Sequence, residues 1–157
     1  MFYGSVLDFD FNNGDGVRVS LWVSGCPHAC PNCHNQDLWN KNFGKPFTYD
    51  SLKGLMKLLE KDISKGLSIL GGEPLAPYNI DAVTEICRVC KKLYPNKSIW
   101  LWTGYSYEEV KDHEIMNYLD VLVDGKFIDE LKDPKLRYRG SSNQRVINVK
   151  TGELMYE

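Results

Sequence analysis

The sequence carries no excess of basic charge: 19 lysines and arginines stand against 21 acidic residues, a formal net charge of −2. Nucleic-acid-binding modules usually show a strong basic surplus, so no nucleic-acid partner is expected. No apolar run approaches the ~20 residues that span a bilayer. The opening stretch MFYGSVLDFDFNNGDG has neither a basic n-region nor an apolar h-region. The expectation is therefore a cytoplasmic protein without a membrane partner. Repeats, low-complexity tracts and evident linkers are absent too, and 157 residues read most simply as one domain, 1–157. Cysteine is sparse, five in all. An odd number without an export signal argues against a disulfide scaffold and for reduced thiols, the clustered ones as metal ligands.

What is present alternates between strand and helix patterns. VRVSLWV (17–23), LSIL (67–70), SIWLWT (98–103) and DVLVDG (120–125) are short β-branched, aromatic or aliphatic runs bounded by turn residues, with RVINV (145–149) a fifth candidate. Between them, TYDSLKGLMKLLEKDI places Leu52, Leu55, Met56, Leu59 and Ile63 at helical spacing behind Thr48 or Asp50 as a cap. YNIDAVTEICRVCKKLYP aligns Ile80, Val83, Cys87, Cys90 and Tyr94 before Pro95 stops the helix. SYEEVKDHEIMNYL opens with Ser106 and Glu109 at capping-box spacing.

Apolar, scarcely alternating strands separated by helices indicate an α/β fold with mostly parallel strands. A closed eight-stranded barrel typically needs ~250 residues, so an open partial (β/α) barrel is expected. Function in such folds gathers at the carboxyl ends of the strands. There the sequence places a cysteine loop, Gly71-Gly72-Glu73-Pro74, Thr103-Gly104 and Asp124.

The cysteine loop is SGCPHACPNCHN (24–35), with Cys26, Cys30 and Cys33 inside eight residues. A structural zinc site wants four ligands, commonly from two knuckle pairs. Here the fourth would have to be His28 or His34, and no second cysteine pair lies at knuckle spacing. A [4Fe–4S] cluster usually takes four cysteines; three alone would leave one iron open, and an open position is where a metal site does chemistry. Cys87 and Cys90 cannot complete a second Cys₄ cluster within this chain. They lie on the apolar stripe of a predicted helix, where free cysteine behaves as a small buried hydrophobe.

Cys26-x3-Cys30-x2-Cys33 resembles the signature loop of radical S-adenosylmethionine enzymes, and ILGGEP (69–74) is similar to that family's GGE segment. Two glycines allow backbone to approach a ligand closely, and Glu73 offers a carboxylate to an ammonium group. NNGDGVRVSLWVSGC, CHNQDLWN, WLWTGYSYEEV, VLVDGKF and YRGSSNQRV extend the resemblance over nearly the whole chain, to the activating components of anaerobic (class III) ribonucleotide reductases. The departures are Asp15 in place of a proline, His34 in place of a tyrosine, Glu73 where some relatives carry aspartate, and Asn32 where many carry an aromatic residue.

The resemblance implies a shortened radical S-adenosylmethionine fold. It implies one [4Fe–4S] cluster per chain on Cys26, Cys30 and Cys33, with S-adenosylmethionine chelating the open iron. Reductive cleavage then gives a 5′-deoxyadenosyl radical, which takes hydrogen from a glycine of the reductase. Cofactor contacts fall to Asn32, Cys33, His34, Gly71, Gly72, Glu73, Thr103 and Asp124, with adenine packing open between backbone near Asn32, His34 and Trp102. Lys126, Arg139 and Arg145 are candidates for substrate or partner contact, against the alternative of a solvated basic face, and His28 reads as a loop residue shaping the pocket. The implied partners are the reductase large subunit and a flavodoxin-like one-electron donor; a homodimer stays open. The rival readings are an activase of another glycyl-radical enzyme, such as pyruvate formate-lyase, and a zinc-stabilised binding module.

Overall fold

The computed structural model describes residues 1–156. Eight strands form one open sheet: β1 (Phe2–Asp10), β2 (Arg18–Val23), β3 (Lys45–Pro46), β4 (Gly66–Gly71), β5 (Ser98–Trp102), β6 (Val121–Asp124), β7 (Arg145–Asn148) and β8 (Leu154–Met155). The order across the sheet is β3-β1-β2-β4-β5-β6-β7-β8. The four expected central strands β2, β4, β5 and β6 are parallel. Both flanks are antiparallel, which makes the sheet mixed rather than mostly parallel. For β1 and β2 the reason is local: the turn-rich NNGDG segment joins them, and so short a link permits only an antiparallel pair.

Three helices connect the centre: α1 (Tyr49–Leu59), α2 (Ile80–Leu93) and the single turn α3 (Tyr107–Val110). Thr48 caps α1 through a reciprocal box with Ser51. The helix ends at Leu59, and Ile63, expected on its apolar stripe, lies beyond it and exposed. The long helix expected over 106–119 is instead α3 and a separate 3-10 turn at Glu114–Asn117. His113 breaks it by taking an extended conformation (φ −72°, ψ 146°).

The two faces of the sheet differ. On one face Val19, Leu21, Leu67, Ile69, Ile99, Leu101 and Leu122 pack against Leu55, Leu59, Val83, Ile86, Cys87 and Cys90 of the helices. Alternation along each strand sends the intervening residues to the other face. There Trp100, Val121, Val123 and Val146 form a smaller cluster, beside the buried polar Arg18, Ser20 and Ser68. That second face, free of helices, leads up to the cysteine loop.

Candidate functional site

The cysteine loop leaves the carboxyl end of β2 and is tied down at its base. Gly25 N–H donates to the Leu38 carbonyl (2.7 Å) and Cys26 N–H to that of Trp39 (3.2 Å). Within the loop, Cys33 N–H reaches the Cys30 carbonyl (3.2 Å), and Ala29 and Asn32 sit at positive φ, 50° and 60°. One sulfur receives a main-chain donor: the Asn35 N–H lies 3.4 Å from Cys33 Sγ. Burial pushes the Cys26 thiol up to about 11.

All three cysteines line one cavity of about 420 Å³, together with Gly71, Gly72, Glu73, Trp102, Thr103, Lys126, Phe127, Tyr138 and Arg139. The volume suits a small-molecule site. Among the described residues, no three His, Cys, Asp or Glu side chains converge as ligands of a single metal ion. The thiols are instead spaced around a shared space. Cys87 and Cys90 are fully buried on the helix side of the sheet, so the cavity wall holds three thiols and no fourth.

Gly71 and Gly72 bring backbone close to this loop. A side chain on Gly72 would place its Cβ 2.5 Å from the Gly25 carbonyl oxygen, and Gly71 takes φ +113°. Glu73 is fully buried. Its carboxylate accepts from Leu75 N–H (2.9 Å), the Thr103 hydroxyl (2.8 and 3.0 Å) and Gly104 N–H (2.7 Å), and lies 2.7 Å from His28 Nε2. A carboxylate is acceptor-only, with about four lone-pair sites, so Glu73 and Thr103 are engaged with each other and with the chain. The Gly71–Gly72 main chain is what this segment presents to a ligand. Buried Asn79 adds a second tie, its amide donating to the Ser24 carbonyl (2.9 Å) and the Glu73 carbonyl (3.0 Å).

Several expected residues fall elsewhere. Asp124 lies outside the cavity lining, accepting from Tyr107 N–H (2.7 Å) and from Arg145 Nη2 (2.5 Å). Alternation explains it: Asp124 shares parity with Leu122, faces away from the cavity and stands directly opposite Arg145 on β7. Arg145 also bridges to Glu108 (2.8 Å) and is likewise outside the cavity lining. Asn32 is exposed and donates to Asp129 (3.0 Å) rather than lining the cavity.

His34 does line it, its ring 5.6 Å from that of Phe127. Arg139 lines it as well, holding the carbonyls of Gln144 and Tyr156 (both 2.8 Å) with its Nε buried and unpartnered. Phe127, Tyr138 and Asn79 were not singled out by the sequence. Phe127 and Tyr138 carried a signal, as the aromatic residues closing VLVDGKF and opening YRGSSNQRV; Asn79 carried none.

Residues 12–147 match a family model described as a 4Fe-4S single cluster domain. The anaerobic ribonucleoside-triphosphate reductase-activating protein of enterobacteria phage T4 is 42% identical over 146 residues, 93% of either chain. The protein of that name from Escherichia coli K12 is 39% identical over 158 residues, 96% of this chain and all of its own. The one from Vibrio cholerae is 43% identical over 148 residues, 92% and 96% of the two chains. The chain belongs to the family of anaerobic ribonucleoside-triphosphate reductase-activating proteins.

For a member of this activating-protein family with a 4Fe-4S domain, the donor set fits the cluster. Three thiols border one cavity, one already receives an N–H donor of the kind that tunes cluster sulfurs, and no fourth thiol lines the cavity. No helix among the described residues is long and apolar enough to cross a membrane.

Proposed function

We propose that the chain is a glycyl-radical activase of the radical S-adenosylmethionine type, acting on an anaerobic ribonucleotide reductase. The observation that carries this reading is the cavity. It joins three thiols, without a fourth, to the half-buried Gly71–Gly72 backbone, in a chain whose relatives are named as activators of that reductase. Cys26, Cys30 and Cys33 would hold the [4Fe–4S] cluster, which would supply the electron, drawn from a flavodoxin-like donor, for reductive cleavage of S-adenosylmethionine to methionine and a 5′-deoxyadenosyl radical, the species that would take hydrogen from a glycine of the reductase.

The chain's own residues position and enclose these partners. Gly71 and Gly72 offer main-chain groups to the methionine end, and Glu73 and Thr103 hold that backbone in place. His34 with Phe127, or Trp102, supplies an aromatic wall for the adenine. Lys126 and Arg139 put positive charge on the cavity lining. The helix-free face, in keeping with a shortened partial barrel, leaves an approach for a glycine loop of a partner.

The test is anaerobic reconstitution with iron and sulfide, then reduction with S-adenosylmethionine present. About four irons per chain and the release of 5′-deoxyadenosine are expected, and a glycyl radical should appear by electron paramagnetic resonance once the reductase is added. A reduced, iron-loaded chain that yields no 5′-deoxyadenosine overturns the reading. A radical that forms on pyruvate formate-lyase and not on the reductase would change the partner.

A further inference from the structure

We infer that His28 is a positioning residue that couples the cysteine loop to the ends of β4 and β5, and so sets where Cys26 stands relative to the Gly71–Gly72 backbone. The inference rests on the proposed cluster and S-adenosylmethionine reading and adds a residue to it. Of the donors around Glu73, Leu75 N–H comes from the segment after β4, and the Thr103 hydroxyl and Gly104 N–H from the end of β5. His28 Nε2, at 2.7 Å, is the only one from the cysteine loop. Its side chain is 7% exposed and that of Glu73 fully buried, so water does not compete for the contact.

The ring is fixed on two further sides. It meets Tyr105 edge to face at 4.7 Å, and a Cβ at Gly104 would come within 2.5 Å of its Cδ2 atom. Position 104 therefore requires glycine for the ring to sit where it does. His28 itself stands two residues from Cys26 in the chain. One residue thus ties the loop, two positions from its first thiol, to the far strand ends with its side chain. Because Glu73 accepts from its ring nitrogen, His28 acts there as the Nε2–H donor.

Loss of the imidazole leaves the rest in place. Glu73 keeps three donors, and the loop keeps its base bonds to Leu38 and Trp39. The consequence should be a looser cysteine loop in a folded protein. His28→Ala should bind iron and sulfide as the wild type does. Its apparent affinity for S-adenosylmethionine, followed by the change the compound causes in the electron paramagnetic resonance of the reduced cluster, should fall about tenfold. His28→Gln, which retains an N–H donor, should recover most of that loss.

In the metal-free chain, exchange of the Cys33 amide, hydrogen-bonded within the loop to Cys30, should quicken about tenfold in His28→Ala. Wild-type exchange and wild-type titration in His28→Ala would overturn the inference, as would a His28→Gln variant no better than His28→Ala. If the wild type itself shows no response to S-adenosylmethionine, the proposed function fails, and the metal-free exchange still decides the role of His28.

Discussion

Cys26 and the Cys87–Cys90 pair are thiols in opposite surroundings, although burial raises all three above the ordinary thiol value. Cys87 and Cys90 are sealed in the helix-side core, where burial pushes Cys90 up to about 11 and Cys87 higher still. Cys26 is also pushed up to about 11, yet it borders an open cavity. Since the thiolate is the reactive form, iodoacetamide labelling of Cys26 in the metal-free protein should be slow at neutral pH. It should rise about tenfold per pH unit until pH approaches 11, whereas Cys87 and Cys90 stay unlabelled while the protein is folded. Cluster loading should protect Cys26, Cys30 and Cys33 together, and peptide mass spectrometry reads both results. In the same scheme Cys26→Ala abolishes 5′-deoxyadenosine formation and Cys87→Ala leaves it largely intact; equal loss in both would contradict the core assignment.

This division was legible in the sequence, because a loop spacing and a helical stripe are local patterns. The role of His28 was not, since its partners Glu73, Gly104 and Tyr105 come from segments far along the chain. Asp124 misled for a related reason. Its place at a strand end was readable, but its side was set by the parity it shares with Leu122 and by the cross-strand Arg145.

At the level of elements, two glycines show how differently the same residue is used. Gly72 sits where the segment after β4 crosses the cysteine loop, and a Cβ there would lie 2.5 Å from the Gly25 oxygen and 2.8 Å from that of Leu38. Both are backbone atoms of tied segments, so the conflict cannot be relieved by a side-chain rotation. Gly72→Ala should cost about 2–3 kcal/mol in urea unfolding and weaken S-adenosylmethionine binding. Gly54 lies inside α1, and a methyl group added there would meet nothing within 4 Å. Gly54→Ala should stabilise the protein by about 0.5–1 kcal/mol, through helix propensity and a less disordered unfolded chain.

The central strands and helices α1 and α2 could be read from periodicity because each buries one continuous face. Strand β1 escaped because it is mostly half-exposed, carrying Leu7 and Phe9 at the surface. The two-residue strands β3 and β8 hold too little sequence to carry a pattern. The helix expected over 106–119 fails at His113, where backbone geometry decides and the apolar spacing gives no warning.

For the whole molecule, a site built on the carboxyl ends of parallel strands depends on how those strands are held at their other ends. Arg18 does much of this. Its guanidinium, almost wholly buried, donates to the Ser68 hydroxyl (2.7 Å) and the Leu67 carbonyl (2.9 Å) on β4, and to the hydroxyl and carbonyl of Ser98 (both 2.9 Å) on β5. It also lies 5.5 Å from the Trp100 ring centre. Burial lowers its pKa to about 10, so the charge persists at neutral pH. Since no carboxylate forms a salt bridge with it among the described residues, the cost of burying the cation is offset by the oxygens of β4 and β5 together. Removing the fork leaves those oxygens without this donor inside the protein. Arg18→Met should therefore destabilise the fold by about 2–4 kcal/mol. Arg18→Lys should recover less than half, because a single ammonium cannot reach acceptors on both β4 and β5 in the planar arrangement a guanidinium allows. Urea titrations followed by tryptophan fluorescence give both values. An Arg18→Met variant as stable as the wild type would show that the strand ladder alone holds β2, β4 and β5 in register beneath the site.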